Sequence, residues 1–442
     1  MSMFWIATGI FLLSYAAIVS ERIHKTKAAL AGAALTLLFK VLTQEDALHN
    51  VDLGVDWNVV LLLISMMIMV NIMSRTGVFP YVAIQAAKLG RGDPFAIMSI
   101  FAVITALASA LLDNVTTVLL LAPVTLLVAD ELEIDPVPFL ITEVLAANIG
   151  GTATLIGDPP NIMIASKAGL SFMDFLVHIA PVIVIIMIAW LGVWKLVFGR
   201  RLTVRADLKA RIMALNVAEL ITDPVLLWKC GLILGATLLG FVLHGFLGYQ
   251  PATVALAGAA ALLLVSGDDP AHALREVEWP TVFFFIGLFI IIGGTVKAGL
   301  ISSLSQQVLS LTAPTADNTQ VLSLTLVWFA GAASAVVDNI PFVATMNPML
   351  VELAGKVFGS TGPEALQHHN MLPVWWALSL GACLGGNATA IGASANVIVV
   401  GLAARAGKPI SFFRFMKYGV PVTLLTLGIS TGYIYLRYYF WP

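Results

Sequence analysis

Residues 149–162 read IGGTATLIGDPPNI, and residues 384–397 read LGGNATAIGASANV. The stretches align without a gap. They share Gly150/Gly385, Gly151/Gly386, Ala153/Ala388, Thr154/Thr389, Ile156/Ile391, Gly157/Gly392 and Asn161/Asn396. Upstream, SALLDNVTTV (109–118) is echoed by SAVVDNIPFV (334–343), pairing Asp113-Asn114 with Asp338-Asn339. Further upstream ALAGAA occurs at both 29–34 and 255–260, and downstream KAG-x-SF (167–172) returns as RAGKPISF (405–412). Matched blocks in one order make an internal duplication.

The setting of that duplication is a membrane. Apolar residues make up 59% of the 442 and charged residues 11%, with a mean hydropathy of +0.95, far from soluble averages. Many segments approach the roughly 20 apolar residues needed to cross hydrocarbon. The N-terminal apolar stretch, Met3–Ser20, lacks a basic leader and a small-residue cleavage site, so it reads as a retained helix. Cys230 and Cys383 lie far apart and suggest neither a disulfide framework nor a thiolate metal cage. No GxxxxGK[ST] phosphate loop is present, which argues against ATP-driven pumping within this chain, and no cofactor is expected. Duplication in so apolar a chain points to a transporter built from repeats.

Full spans are expected at 3–20, 27–42, 57–74, 181–198, 225–245, 251–265, 279–296 and 421–440. Around each Asp-Asn pair two apolar arms meet, at 95–129 and 320–355. A polar pair at that depth suits a re-entrant hairpin with its tip buried in protein, because turns do not survive against lipid. The glycine-rich blocks interrupt the next segments, 137–166 and 371–404, as helices broken in mid-membrane. The fold class expected is therefore all-α, with about ten crossings in two repeats, 1–198 and 225–442, joined by a cytoplasmic linker at 199–224. Each repeat crosses five times, an odd number, so the second must be inverted. With the linker inside, only Lys40, Lys167, Lys297, Lys356 and Arg437 of the 23 basic residues fall outside. That asymmetry matches the positive-inside rule and puts both termini outside.

Sites in such folds lie where broken helices expose N–H and C=O groups. A helix N-terminus there attracts anionic or oxygen-rich groups, and freed carbonyls attract cations. Gly150, Gly151, Gly157, Gly385, Gly386 and Gly392 permit close approach of backbone. Asn148, Thr152, Thr154, Asn161, Asn387, Thr389, Ser394 and Asn396 add neutral polar groups, as do Thr116 and Thr117 after the first tip. Asp113 and Asp338 are the sharpest signal, because a carboxyl at membrane depth is costly and marks function by default. Desolvation favours the neutral form of such a group, so it can take up and release a proton during a cycle. Asp158 faces Ala393 across the repeat and Glu143 faces Leu378, which makes both candidates for coupling in one half alone. An intramembrane aspartyl enzyme using Asp113 and Asp338 is the competing class. LIGD at 155–158 does not follow the GxGD pattern of such proteases, and the paired asparagines have no role in them.

DNVTT at 113–117, followed by GGTATLIGDPPN at 150–161, resembles the arsenite permease and P-protein branch of the ion transporter superfamily. More distantly the chain is similar to divalent-anion/sodium symporters, whose hairpin tips carry Ser-Asn-Thr. The resemblance implies a scaffold plus a mobile transport unit, with solute held between hairpin tips and broken helices, often in a homodimer. By it Asn114 and Asn339 match the symporters' tip asparagines, while Asp113 and Asp338 replace serines. Pro341 and Phe342 make the second tip less hydrophilic. The aspartates favour proton coupling over a sodium-coupled dicarboxylate site. The expected function is proton-coupled export of arsenite or antimonite, small uncharged solutes that suit Asn, Thr and backbone groups. Sodium/proton antiport and organic-anion transport in the same superfamily are the alternatives. The lipid bilayer, a coupling proton or sodium and a separate ATPase subunit are the partners implied, with no nucleic acid. The expected location is a bacterial or archaeal cytoplasmic membrane.

Overall fold

A computed structural model describes residues 3–20, 22–199, 204–214, 217–267 and 269–440. Arg200 and Arg201 of the linker lie outside the described residues. Among the described residues the chain is helical throughout, with a lone bridge between Thr315 and Asn318. Among the described residues seven helices are long and apolar enough to cross a membrane, and six more are apolar but shorter.

The first half runs α1 (Met3–Val19), α2 (Lys25–Leu38), α3 (Trp57–Ser74), α4 (Val78–Leu89), α5 (Pro94–Leu111) and α6 (Asn114–Glu131). It continues with α7 (Val137–Gly151), α8 (Pro159–Ala168), α9 (Phe172–His178) and α10 (Ala180–Phe198). The second half repeats the order as α11 (Pro224–Leu247), α12 (Pro251–Ser266), α13 (Trp279–Lys297), α14 (Leu300–Thr312), α15 (Gln320–Ser334) and α16 (Asn339–Phe358). It closes with α17 (Leu372–Gly385), α18 (Ser394–Arg405) and α19 (Phe412–Tyr435). The serines of the two SF blocks are equivalent helix starts. Ser171 caps α9 through the Asp174 N–H, and Ser411 caps α19 through the Arg414 N–H. That cap lets the last helix begin at Phe412, nine residues before the expected span, and carry Pro421 inside it. The amphipathic helices α4 and α14 have no counterpart among the expected spans. Each leads into a hairpin, α4 packing on α6 and α14 on α16.

Two packing units result. In one, α2 lies along α13 and α12 along α3, so each half's second helix rests on the other half's third. The ALAGAA blocks explain this pairing. At Gly32 an added methyl would meet Ile291 of α13, and at Gly258 it would meet Met69 of α3, both at 3.0 Å or less. Small residues thus let the helices of opposite halves approach closely. The other unit holds the hairpins α5–α6 and α15–α16 with the broken helices α7/α8 and α17/α18. Its tightest contacts are α5 on α7 and α15 on α17.

The loops sort into two sets. Glu133 pairs with Arg211 and Asp135 with Arg414, which binds the base of the first hairpin to the linker and the start of α19. At the base of the second hairpin Thr319 donates to the Asn370 carbonyl, and Gln367 donates to that of Gly169. The hairpin bases therefore belong to different ends of the molecule, while their tips share one cavity. This is the re-entrant, inverted arrangement.

The close approach of α5 to α7 rests on missing side chains. A Cβ at Gly150 would lie 2.1 Å from the Ala106 carbonyl oxygen, and one at Gly385 would lie 2.5 Å from Gly331 backbone. Overpacking of this kind costs about 1–3 kcal/mol, and backbone clashes relax least. Gly150→Ala and Gly385→Ala are each expected to lower the melting temperature of the detergent-solubilised protein. Gly192→Ala, whose Cβ would meet nothing within 4 Å, is expected to leave it unchanged.

Candidate transport site

Unwinding a helix in hydrocarbon strands backbone groups that need partners. In the first half three side chains supply them. Ser109 of α5 donates to the Ala147 carbonyl at 2.7 Å, and Thr154 in the break donates to the Ala110 carbonyl at 2.5 Å. Asn161 spans the break, its amide donating to the carbonyls of Thr152 (3.0 Å) and Thr154 (2.9 Å). The second half repeats these stitches, with one acceptor shifted by a residue. Ser334 donates to Ala382, Thr389 to Ala335, and Asn396 to the carbonyls of Gly386 and Thr389. Around them Gly157 lies against the Gly151 and Ser109 carbonyls, and Gly392 against those of Gly386 and Ser334. A side chain at any of these glycines would push the break off its hairpin.

A second set of bonds joins the halves. The Asn148 amide donates to Oδ1 of Asn387 (2.8 Å) and of Asn396 (2.9 Å), and its own Oδ1 accepts from Asn114 (3.1 Å). Ser379 donates to Oδ1 of Asn161 at 2.7 Å, and Asn387 donates to the Leu145 carbonyl. Asn148, Asn161, Asn387 and Asn396 are fully buried. Their partners are protein groups, so they form the rigid floor of the site.

Above that floor lies a cavity of about 330 Å³. Both tips open into it through Asp113, Asn114, Asp338 and Asn339, and both half-helix starts through Asp158, Pro159 and Ser394. The aspartates cap their helices, Asp113 accepting from the Thr116 N–H and Asp338 from the Ile340 N–H. Asn339 holds its amide 3.4–3.5 Å from the Asp158 oxygens, a loose contact that leaves it free for another partner. Lys25, at the start of α2, reaches in. Its Nζ lies 3.1 Å from Asp338 Oδ2 and 2.5 Å from Ser394 Oγ. Among the described residues neither Asp113 nor Asp158 has an ion-pair partner.

The single polar cavity expected from the sequence is thus two structures. Asp113, Asn114, Asp158, Asp338, Asn339 and Ser394 face the open space. Asn148, Thr152, Thr154, Asn161, Asn387, Thr389, Asn396 and the six glycines lie beneath it, holding the breaks. Thr117 is buried, its hydroxyl without a hydrogen-bond partner among the described residues. Glu143 lies apart from the cavity wall. Thr125 donates to one of its oxygens at 2.6 Å, and the other oxygen has no partner among the described residues. Lys25 escaped the sequence reading, which counted it only among the basic residues of an inner loop. Its signal was position: the repeat places Pro251 opposite it.

A family model described as citrate transporter matches residues 15–381 of this chain. The chain belongs to that citrate transporter family. Among its relatives, a protein of Mycobacterium tuberculosis named as an uncharacterized transporter is 47% identical over 434 residues, 98% of each chain. The 46 kDa membrane protein of Mycobacterium leprae is 44% identical over 98% of each. The human P protein is 33% identical across 97% of this chain, which spans 59% of the human one. The YdaH transporter of Alcanivorax borkumensis, whose crystal structure reveals an unusual topology, is 15% identical with a TM-score of 0.55. That match covers 100% of this chain and 98% of that one, and it shows a shared fold. The chain is a membrane transporter of the citrate transporter family, with P proteins among its relatives as the resemblance expected; the arsenite permease branch is not singled out.

The stitches are separable from the cavity by measurement. Asn161→Ala removes the donor from two buried carbonyls, each of which costs about 1–3 kcal/mol when unsatisfied. It is expected to lower the melting temperature clearly. Asn339→Ala gives up only the loose contact with Asp158 and is expected to melt within a few degrees of the parent.

Proposed function

We propose that the protein is a proton-coupled secondary transporter that works by alternating access. In this reading the solute sits between the tips Asp113-Asn114 and Asp338-Asn339 and the half-helices that begin at Pro159 and Ser394. The observation that carries it is the convergence of three aspartates, from two hairpin tips and one helix break, on one cavity with a lysine among them. Carboxyls crowded at low dielectric compete for protons and cations, which is what coupling requires. The residues 1–198 and 225–442 act as the inverted repeats, with the basic loops on the inner side of a bacterial or archaeal cytoplasmic membrane.

The substrate we propose is arsenite or antimonite, carried outward against proton entry. A neutral trihydroxide suits a cavity whose wall holds Asp113, Asp158, Asp338 and Glu278 against one lysine, because a free polyanion would meet net repulsion there. The volume of about 330 Å³ is at the small end of ligand pockets, about 300–1,000 Å³. Citrate is the second reading, favoured by the family's description and by one specific arrangement. Lys25 stands beside the N-terminus of α18 at Ser394, and together they make an anion-binding corner.

Everted vesicles under an imposed pH gradient separate these readings when challenged in turn with arsenite, antimonite, citrate and sodium. Gradient-dependent accumulation of arsenite or antimonite is expected. Accumulation of citrate alone selects the second reading, and sodium counterflow alone selects sodium/proton antiport. Asp113→Asn and Asp158→Asn are expected to abolish accumulation while solute exchange continues. Unchanged pH dependence in both variants would reject these aspartates as coupling groups.

A further inference from the structure

The repeat departs from its own symmetry at positions that meet in space. The first break begins its half-helix with Asp158-Pro159, where the second has Ala393-Ser394. The first half offers Lys25 at the start of α2, where the second half has Pro251. Ser394 and Lys25, both without repeat counterparts, touch each other and the second tip: Ser394 Oγ lies 2.8 Å from Asp338 Oδ2 and 2.5 Å from Lys25 Nζ. The Lys25 ammonium also stands 4.9 Å from the centre of the Phe284 ring on α13, a cation–π distance. The first half thus brings two carboxyls, Asp113 and Asp158, with no ion-pair partner among the described residues; at the second tip stand a carboxyl, a hydroxyl and a cation supplied by the chain.

Lys25 and Phe284 belong to the unit of α2, α3, α12 and α13. Asp338 and Ser394 belong to the unit of hairpins and broken helices. Among the described residues two ion pairs link these units, and they lie at different places. Lys25–Asp338 (3.1 Å) is at the tips, and Lys167 at the end of α8 pairs with Asp52 (3.3 Å) in the loop before α3. Lys167–Asp52 is exposed on its acidic side and is therefore a weak tie. Lys25–Asp338 is largely enclosed and has three partners for its ammonium, so it resists rupture more strongly.

We propose that Lys25 is a tethered cation, which fills the cation position of the second half and latches the second hairpin tip to the scaffold. Ions of the driving gradient then load at Asp113 and Asp158, and movement of the hairpin unit requires the Lys25–Asp338 bond to break. The charged and titratable groups facing this pair are Glu278 before α13, His24 before α2, Asp158 beyond Asn339, and Asp113 across the cavity. Glu278 is a second carboxyl to which the released ammonium can turn. The coupling role of Asp113 and Asp158 rests on the reading of the previous subsection; the latch itself does not.

Full-length protein in proteoliposomes tests the latch without a known substrate. Val397→Cys lines the cavity on α18 and is 42% exposed, while native Cys230 and Cys383 are buried. The rate of its labelling by a maleimide reports whether the second tip is held. Lys25→Gln and Asp338→Asn are each expected to change that rate at least fivefold. Their combination is expected to do no more than either alone, because both remove one bond. Lys25→Gln labelling at the parental rate, or changes that multiply in the double variant, would overturn the latch. Asp338→Asn keeps the test valid should Lys25→Gln not fold. Asp113→Asn is the separate arm. Unchanged pH dependence of vesicle accumulation in both Asp113→Asn and Asp158→Asn removes them as coupling groups and leaves the latch standing; a non-interacting Lys25–Asp338 pair sinks the latch and leaves coupling at Asp113 intact.

Discussion

Two helices of this protein are interrupted where the surroundings offer no water to complete a hydrogen bond, and everything else in the hairpin unit follows from that constraint. Asn161 and Asn396 hold carbonyls that unwinding would strand, and Thr154 and Thr389 tie each break to its own hairpin. The glycines let backbone meet backbone at distances no side chain would allow. Because each break is stitched to a hairpin, the tips are carried to the break and held there. The site is a by-product of satisfying backbone.

Symmetry builds the floor and asymmetry gives the cavity its chemistry. The stitches come in matched pairs, whereas the groups that face open space differ between halves. Asp158 stands against Ala393, and Ser394 with Lys25 against Pro159 and Pro251. Such a division lets one half handle ions and the other fasten the moving unit. An account in which both tips act alike would leave Lys25 unexplained.

Much of this was legible in the residues. The duplicated blocks mark the breaks, the Asp-Asn pairs mark the tips, and the odd number of crossings requires inversion. What the sequence could not separate was floor from cavity. Asn161 and Asn339 look equally available in one dimension, yet the first is consumed by two carbonyls and the second meets only Asp158 loosely. The amphipathic helices α4 and α14 were passed over because twelve or thirteen residues do not span a bilayer. Lys25 was hidden by a charge rule that counts basic residues near loops without asking which of them turn inward. ALAGAA was visible as a repeat, but its purpose appears only where α2 meets α13 and α12 meets α3.

Two hairpins that enter from opposite faces and meet at their tips hold the whole site together. Single cysteines at Glu133, beside the base of the first hairpin, and at His369, beyond the base of the second, test this arrangement directly; both positions are exposed. With an impermeant maleimide on intact cells, the His369→Cys protein is expected to be labelled and the Glu133→Cys protein only after the membrane is opened. Labelling of both from the same side would contradict the inverted arrangement and the site built on it.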